Sequence, residues 1–315
     1  MILLLDSASL WYRAFYGMPD TLRSPTGEPV NAVRGFLESV ARLTGQYQPR
    51  QVVACLDGDW RPSWRTALVP EYKAARDIQL NEEGKKEESS SANPPDLTAL
   101  ADEIELEKQV TIILDLLDAI GIPVIGIDDY EADDVIATLA TREDSAIVIA
   151  TGDRDLFQLV DDQKPISVAY LAKGIASHEL VDREWISRRY EIPGERYALM
   201  ALFRGDPSDG LPGVRGIGEK GAAKIVNLFG SVDEVLNGAL LEDSRLAPAL
   251  RKKILDGREY LERAEPVVNC VRDLRLPPLP APLTRVHDRA RLDQLSERFG
   301  VGTSVNRLIA ALSLE

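Results

Sequence analysis

The sequence is short of the residues that cross-link, cage zinc or catalyse through imidazole. In 315 residues it has only two cysteines, Cys55 and Cys270, and two histidines, His178 and His287. The cysteines lie far apart and without partners at metal-binding spacing, which excludes a disulfide framework and a zinc site and suits a cytoplasmic protein. The histidines lie outside every motif described below, so acid–base catalysis by histidine has no support. Long hydrophobic runs are missing as well: the apolar stretch Ile2 to Leu5 meets Asp6 at once, far short of a signal-peptide core or a membrane span. There is no P-loop, dinucleotide fingerprint or serine nucleophile elbow. Positive charge is in deficit, with 37 Lys and Arg against 51 Asp and Glu for a net charge of −14. That excludes a polybasic scaffold that wraps nucleic acid through charge alone. It leaves open an enzyme that meets nucleic acid at an acidic metal site.

What the chain does contain is apolar runs that end in acids. Ile2 to Leu5 runs into Asp6, Gln51 to Leu56 into Asp57, and Ala146 to Ala150 into Thr151, Gly152 and Asp153. Continuous apolar runs of this length read as buried parallel strands. Between them lie helical patterns, Asn31 to Thr44 with Val33, Phe36, Leu37, Val40 and Leu43 on one face, and Ile104 to Ala119 with Leu106, Val110, Ile113, Leu114 and Leu117. Strands alternating with helices predict an α/β fold, a mostly parallel sheet with helices on both faces and ligands beyond the carboxyl ends of the strands. Asp6, Asp57 and Asp153 then gather at one edge.

The stretch Val124 to Val160 adds Glu131, Asp133 and Asp134 at the start of a helix and Asp155 just after Asp153. Each acid has an ordinary alternative, as a first-turn residue, a helix cap or a turn residue. Carboxylates brought together repel, however, and several segments delivering them to one edge ask for a cation. Beyond Val160 the sequence predicts a weaker strand at Ile166 to Leu171, a helix at Asp182 to Tyr190, and a second half dominated by helices from Tyr197. Residues Pro277 to Pro282 read as an extended connector, and a last helix is expected over Val305 to Leu314. The segment Asp77 to Ala101, with NEEGKKEESSSANPP, reads as a polar loop or linker.

Taken together, LLLDSASLWYRAFYG, CLDGDW, WRTALVPEYKAAR, YEADDVIATLA, ATGDRDLFQLV and GDPSDGLPGVRGIGEKGAAKI resemble, in the same order, the motifs of the 5′-nuclease family. That family includes flap endonucleases and the 5′–3′ exonuclease domain of bacterial DNA polymerase I. The resemblance covers about Met1 to Arg275, and no polymerase sequence follows. It implies a PIN-like α/β nuclease domain over 1–180, an arch or clamp at about 70–103, and a helical subdomain over 181–315. Within the latter, 205–230 would form a helix–three-turn–helix element that binds DNA.

By the same resemblance, Asp6, Asp57, Glu131, Asp133, Asp134, Asp153, Asp155, Asp206 and Asp209 hold divalent metals. Their oxygen-only chemistry suits two or more Mg²⁺ or Mn²⁺ ions. Lys73 and Arg76 would steer the scissile phosphate; Arg61 and Arg65 remain open between a solvated face and a function. Gly213, Gly216 and Gly218 would let a phosphate approach the backbone, with Lys220 and Lys224 adding charge and K⁺ a further ion at the hairpin. From their place just past Asp6, Tyr12, Arg13 and Tyr16 are candidates to contact or stack on nucleic acid, with core packing the competing role for at least one of the tyrosines. The family usually has Asn where this chain has Gly210, and the acidic insert after Arg76 departs from a basic gateway.

The implied activity is metal-dependent cleavage of DNA at 5′ flaps, nicks and 5′ ends, RNA primers included. It is expected of a cytoplasmic monomer that touches no membrane and works beside a separate polymerase and ligase. Two other readings are a non-catalytic branched-DNA binder and a PIN-type ribonuclease.

Overall fold

A computed structural model describes residues 1–74 and 97–314. Arg76 and most of the polar insert lie outside these residues. Among the described residues the sheet has six strands: β1 Ile2–Asp6, β2 Gln51–Cys55, β3 Val124–Ile125, β4 Ile147–Thr151, β5 Ile166–Tyr170 and β6 Glu179–Val181. Their order is β3-β2-β1-β4-β5-β6, with the first five parallel and β6 antiparallel to β5. The apolar runs predicted the three central strands. The two-residue β3 and the antiparallel β6 were not legible, because neither carries enough alternation to stand out from a loop.

Alternation along the buried strands sends their side chains to two cores. Ile2, Leu4, Val53 and Cys55 face the helix Ala132–Arg142 and the later helical region, whereas Leu3, Leu5, Val52 and Ala54 face the helices Asn31–Tyr47 and Leu97–Ile120. The result is a three-layer arrangement. All three parallel strands that end in acids point the same way, which sets Asp6, Asp57 and Asp153 along one edge of the sheet.

The C-terminus does not follow the expected division. Helices Arg289–Phe299 and Gly302–Leu312 do not join the helical subdomain; Leu292, Phe299, Val305 and Leu308 are buried in the same core as Leu3 and Leu5. An extended segment carries the chain there. Gln51 donates to the Pro280 carbonyl at 2.9 Å, and the His287 and Asp288 amides donate to the Ile120 and Ala119 carbonyls at 3.1 and 2.8 Å. The apolar stripe of Gly302–Leu312 packs on Asn31–Tyr47, and Arg289–Phe299 packs against Leu97–Ile120, so burial on that side of the sheet decides their partners. Among the described residues no helix is long and apolar enough to cross a membrane.

Candidate active site

Asp6 ends β1 and caps the helix Ser7–Gly17, accepting from the Ser9 amide at 3.1 Å. Its other oxygen accepts from the Thr151 hydroxyl at 2.6 Å, and that hydroxyl in turn accepts from the Asp153 amide at 2.9 Å. The Gly152 amide donates to Ser9 Oγ at 2.7 Å, and an added Cβ on Gly152 would lie 2.8 Å from that oxygen. The ends of β1 and β4 are thus locked to each other by side chains whose only sequence signal is their place after an apolar run. Asp57 accepts from the Ala132 amide at 2.8 Å, which ties the end of β2 to the start of the helix Ala132–Arg142.

These contacts bring Asp6, Asp57, Glu131, Asp133 and Asp153 around one open cleft of about 910 Å³, with Lys73, Arg13, Tyr12, Tyr16 and Trp60 also on its walls. Burial raises Asp6 to about 7, reinforced by repulsion from Asp57 and Asp153 and opposed by the Thr151 hydrogen bond. Burial also raises Asp57, although its side chain stands at the exposed mouth of the cleft. Asp133 is pushed well above the carboxylate range by burial and by Asp153, Asp6 and Glu131. Asp155 is raised likewise by burial, then by Asp153, Asp209 and Asp206, which places a second acidic group beyond Asp153. Asp206 and Asp209 belong to a loop closed by paired Asp206 and Leu211 backbone bonds, both 2.9 Å.

Of the expected metal-binding set, Asp134, Asp155, Asp206 and Asp209 do not line this cleft, and Asp134 among them is held in a buried ion pair. It is fully buried, receives both terminal nitrogens of Arg65 at 2.8 Å and the Val271 amide at 2.8 Å, and does not line the cleft. Helix geometry explains this, since Asp133 and its neighbour point about 100° apart. Glu131 occupies a middle position: Oε2 accepts from Arg65 at 2.5 Å and Tyr72 at 2.8 Å, and Oε1 pairs with Lys73. Burial pushes Glu131 upward against the pull of Lys73 and Arg65. Burial would lower Lys73, but Glu131 and Asp209 outweigh it and hold the ammonium raised.

The donor set fits a hard divalent cation, being carboxylate oxygen throughout and mutually repulsive. Among the described residues no three of these acids already close into an ion cage. An open arrangement is what small hard cations use when they keep water and share ligands with a phosphate. The electrostatic cost is measurable without metal. Folded Asp6 holds its proton to about pH 7 rather than 3.8, so this group's contribution is favourable below 3.8 and is lost as pH rises through 7. Between pH 6 and pH 8 in chelator, Asp6 alone is expected to lower unfolding free energy by about 1.4 kcal/mol, read as a lower denaturant midpoint. A midpoint that stays level or rises over that interval would contradict the crowding of charge described here.

The glycine-rich turn is a second concavity, lined by Pro212 to Gly218. Its glycines divide by role. Gly213, with φ 67°, lies where a Cβ would stand 2.5 Å from the Arg204 carbonyl, so a crossing of two chain segments requires glycine there. At Gly216 a Cβ would meet Lys253, whose ammonium donates to the Gly216 carbonyl at 2.9 Å. Gly218 opens the helix Glu219–Leu228 with free space beside it, and Lys220 and Lys224 are exposed on that helix. Arg154, exposed between Asp153 and Asp155, and Arg215, exposed on the turn, are further cations that the sequence reading passed over.

Gly210 also acquires a reason. It has φ 71°, and a Cβ there would lie 2.0 Å from the Glu71 carbonyl. The adjacent Asp209 carbonyl accepts from the Lys73 amide at 2.9 Å. Glycine lets the loop bearing Asp206 and Asp209 press directly on the turn that carries Lys73.

Comparison with known proteins matches residues 1–191 to the 5′-3′ exonuclease N-terminal resolvase-like domain and residues 192–289 to the 5′-3′ exonuclease C-terminal SAM fold. A 5′-3′ exonuclease of Streptomyces coelicolor is 43% identical, covering 99% of this chain and 100% of the relative. One from Mycobacterium tuberculosis is 42% identical over 99% of this chain and 97% of its own length. In fold, the chain is similar to T5 5′-exonuclease with bound zinc, with a TM-score of 0.64 at 16% identity and 99% of each chain covered.

Proposed function

The chain belongs to the 5′-3′ exonuclease family, and from that premise we propose that it is a divalent-metal-dependent, structure-specific 5′-nuclease that cuts DNA at 5′ flaps and 5′ ends. The observation that carries this reading is one open cleft in which six carboxylates, those of Asp6, Asp57, Glu103, Glu131, Asp133 and Asp153, stand with Lys73 and Arg13. Asp6, Asp57, Asp133 and Asp153 are the residues to hold metal there, with Asp155, Asp206 and Asp209 as the neighbouring acidic group. When bound, paired divalent ions supply an activated water and charge stabilisation for phosphodiester hydrolysis.

The chain's own residues do the positioning. Lys73 offers an ammonium to a phosphate crossing the cleft. Tyr12 and Tyr16, 48% and 70% exposed, offer ring faces to unpaired bases at its mouth. Gly218 and the amides that follow, with Lys220 and Lys224, hold a duplex backbone without reading sequence. Recognition by junction shape follows from that division. Such cleavage would act in replication and repair, including removal of RNA primers, beside a separate polymerase and ligase.

Product mapping tests the proposal. Labelled 5′-flap, nicked and blunt DNA should be cut near the junction or shortened from the 5′ end with Mg²⁺ or Mn²⁺, and remain intact in chelator. Cleavage that persists in chelator, or cleavage restricted to RNA, would overturn it.

A further inference from the structure

The turn that presents Lys73 is braced by two arginines whose roles the sequence leaves open. Lys73 has φ 52°, in the left-handed region, and cannot rely on regular secondary structure to fix its direction. Arg61 holds the turn's backbone: Nε donates to the Tyr72 carbonyl at 2.7 Å and Nη2 to the Pro70 carbonyl at 2.9 Å.

Arg65 acts on the side-chain side. It is 2% exposed, donates to Glu131 at 2.5 Å and grips both oxygens of Asp134 at 2.8 Å. Its Nε donates to the Val267 carbonyl at 3.2 Å, and its guanidinium lies 4.5 Å from the centre of the Trp64 ring. Arg65 and Tyr72 together occupy Oε2 of Glu131, which leaves Oε1 for the Lys73 ammonium. A lysine has a flexible stem and a point charge, so its location depends on what holds its end. Here that is Glu131 and, at 3.3 Å, the Trp60 carbonyl.

Burying such a network is costly, and it yields little net stability compared with apolar packing of the same volume. Its geometry gives it another use. We infer that Arg65 is a positioning residue for cleavage: it fixes Glu131 so that Lys73 stands at the cleft wall, and it withdraws Asp134 from the acids there, while Arg61 fixes the backbone of the same turn. This rests on the proposed role of Lys73.

A double-mutant cycle separates the two ideas. Single-turnover cleavage of a 5′-flap at saturating enzyme is measured for Arg65→Gln, Lys73→Ala and the double variant, together with DNA affinity in chelator. Arg65→Gln is expected to slow cleavage about 30-fold with DNA affinity changed less than about 2-fold. On top of Lys73→Ala it should add less than about 3-fold, because the residue it positions is already gone. An equal factor in both backgrounds, or an unaltered rate in Arg65→Gln, overturns the inference. Should Arg65→Gln lose its near-ultraviolet circular dichroism, Arg61→Gln carries the same cycle, with about a 5-fold loss expected alone and none added to Lys73→Ala. An unchanged rate in Lys73→Ala would instead refute the role of Lys73 itself.

Discussion

Asp133→Ala is expected to reduce cleavage about 10³-fold or more, equivalent to about 4 kcal/mol of transition-state stabilisation, without unfolding the protein. Asp133 faces the cleft among like charges, with Asp153, Asp6 and Glu131 all raising it. Removing it relieves repulsion, so the metal-free variant should unfold at a denaturant midpoint equal to or above that of the parent. The adjacent Asp134→Ala should do the opposite to stability. Arg65 would lose two of its hydrogen bonds, and the Val271 amide would lose its acceptor. Breaking one partner out of a buried pair costs about 3–5 kcal/mol. Single-turnover cleavage and chelator-buffered unfolding of the two variants form the test. Near-parental cleavage by Asp133→Ala, or a stable Asp134→Ala, would mean that the two acids have been given each other's roles.

This contrast also shows where sequence stopped being informative. The acids at Asp6, Asp57 and Asp153 were legible because each follows an apolar run, and parallel strands of similar register must deliver their last residues to one edge. Helix placement was legible wherever a stripe repeated, as in Asn31–Tyr47, observed three residues longer than the pattern alone suggested. Asp133 and Asp134 could not be separated, because first-turn acids look alike until the partner from another element is known. That partner, Arg65, is distant in sequence and has no local signature. The same holds for Thr151, whose hydroxyl links Asp6 to Asp153, and for the last two helices, whose apolar stripe fits either core until the strap at Pro280 and His287 fixes the path. Gly210 stood out as a departure from the family's usual Asn, but only the approach of the Glu71 carbonyl gives it meaning.

Lys73→Ala is expected to lower the single-turnover rate about 10²- to 10³-fold, with DNA affinity altered only a few-fold. The reasoning turns on where the charge lies. Lys73 is an ammonium in the cleft wall surrounded by carboxylates, and Glu131 keeps it protonated. Duplex binding is assigned to the turn at Gly218 and to Lys220 and Lys224, so loss of Lys73 should spare binding and strike the step in which the phosphate gains charge. Lys73→Arg should recover little. A planar guanidinium cannot replace a point charge that fits against both Oε1 of Glu131 and the Trp60 carbonyl. If Lys73→Ala instead weakened DNA affinity as much as it slowed cleavage, Lys73 would be a ground-state contact. If it changed neither, the ammonium would be only the counter-ion of Glu131, and stabilisation of the reacting phosphate would fall to the metals and to Arg13.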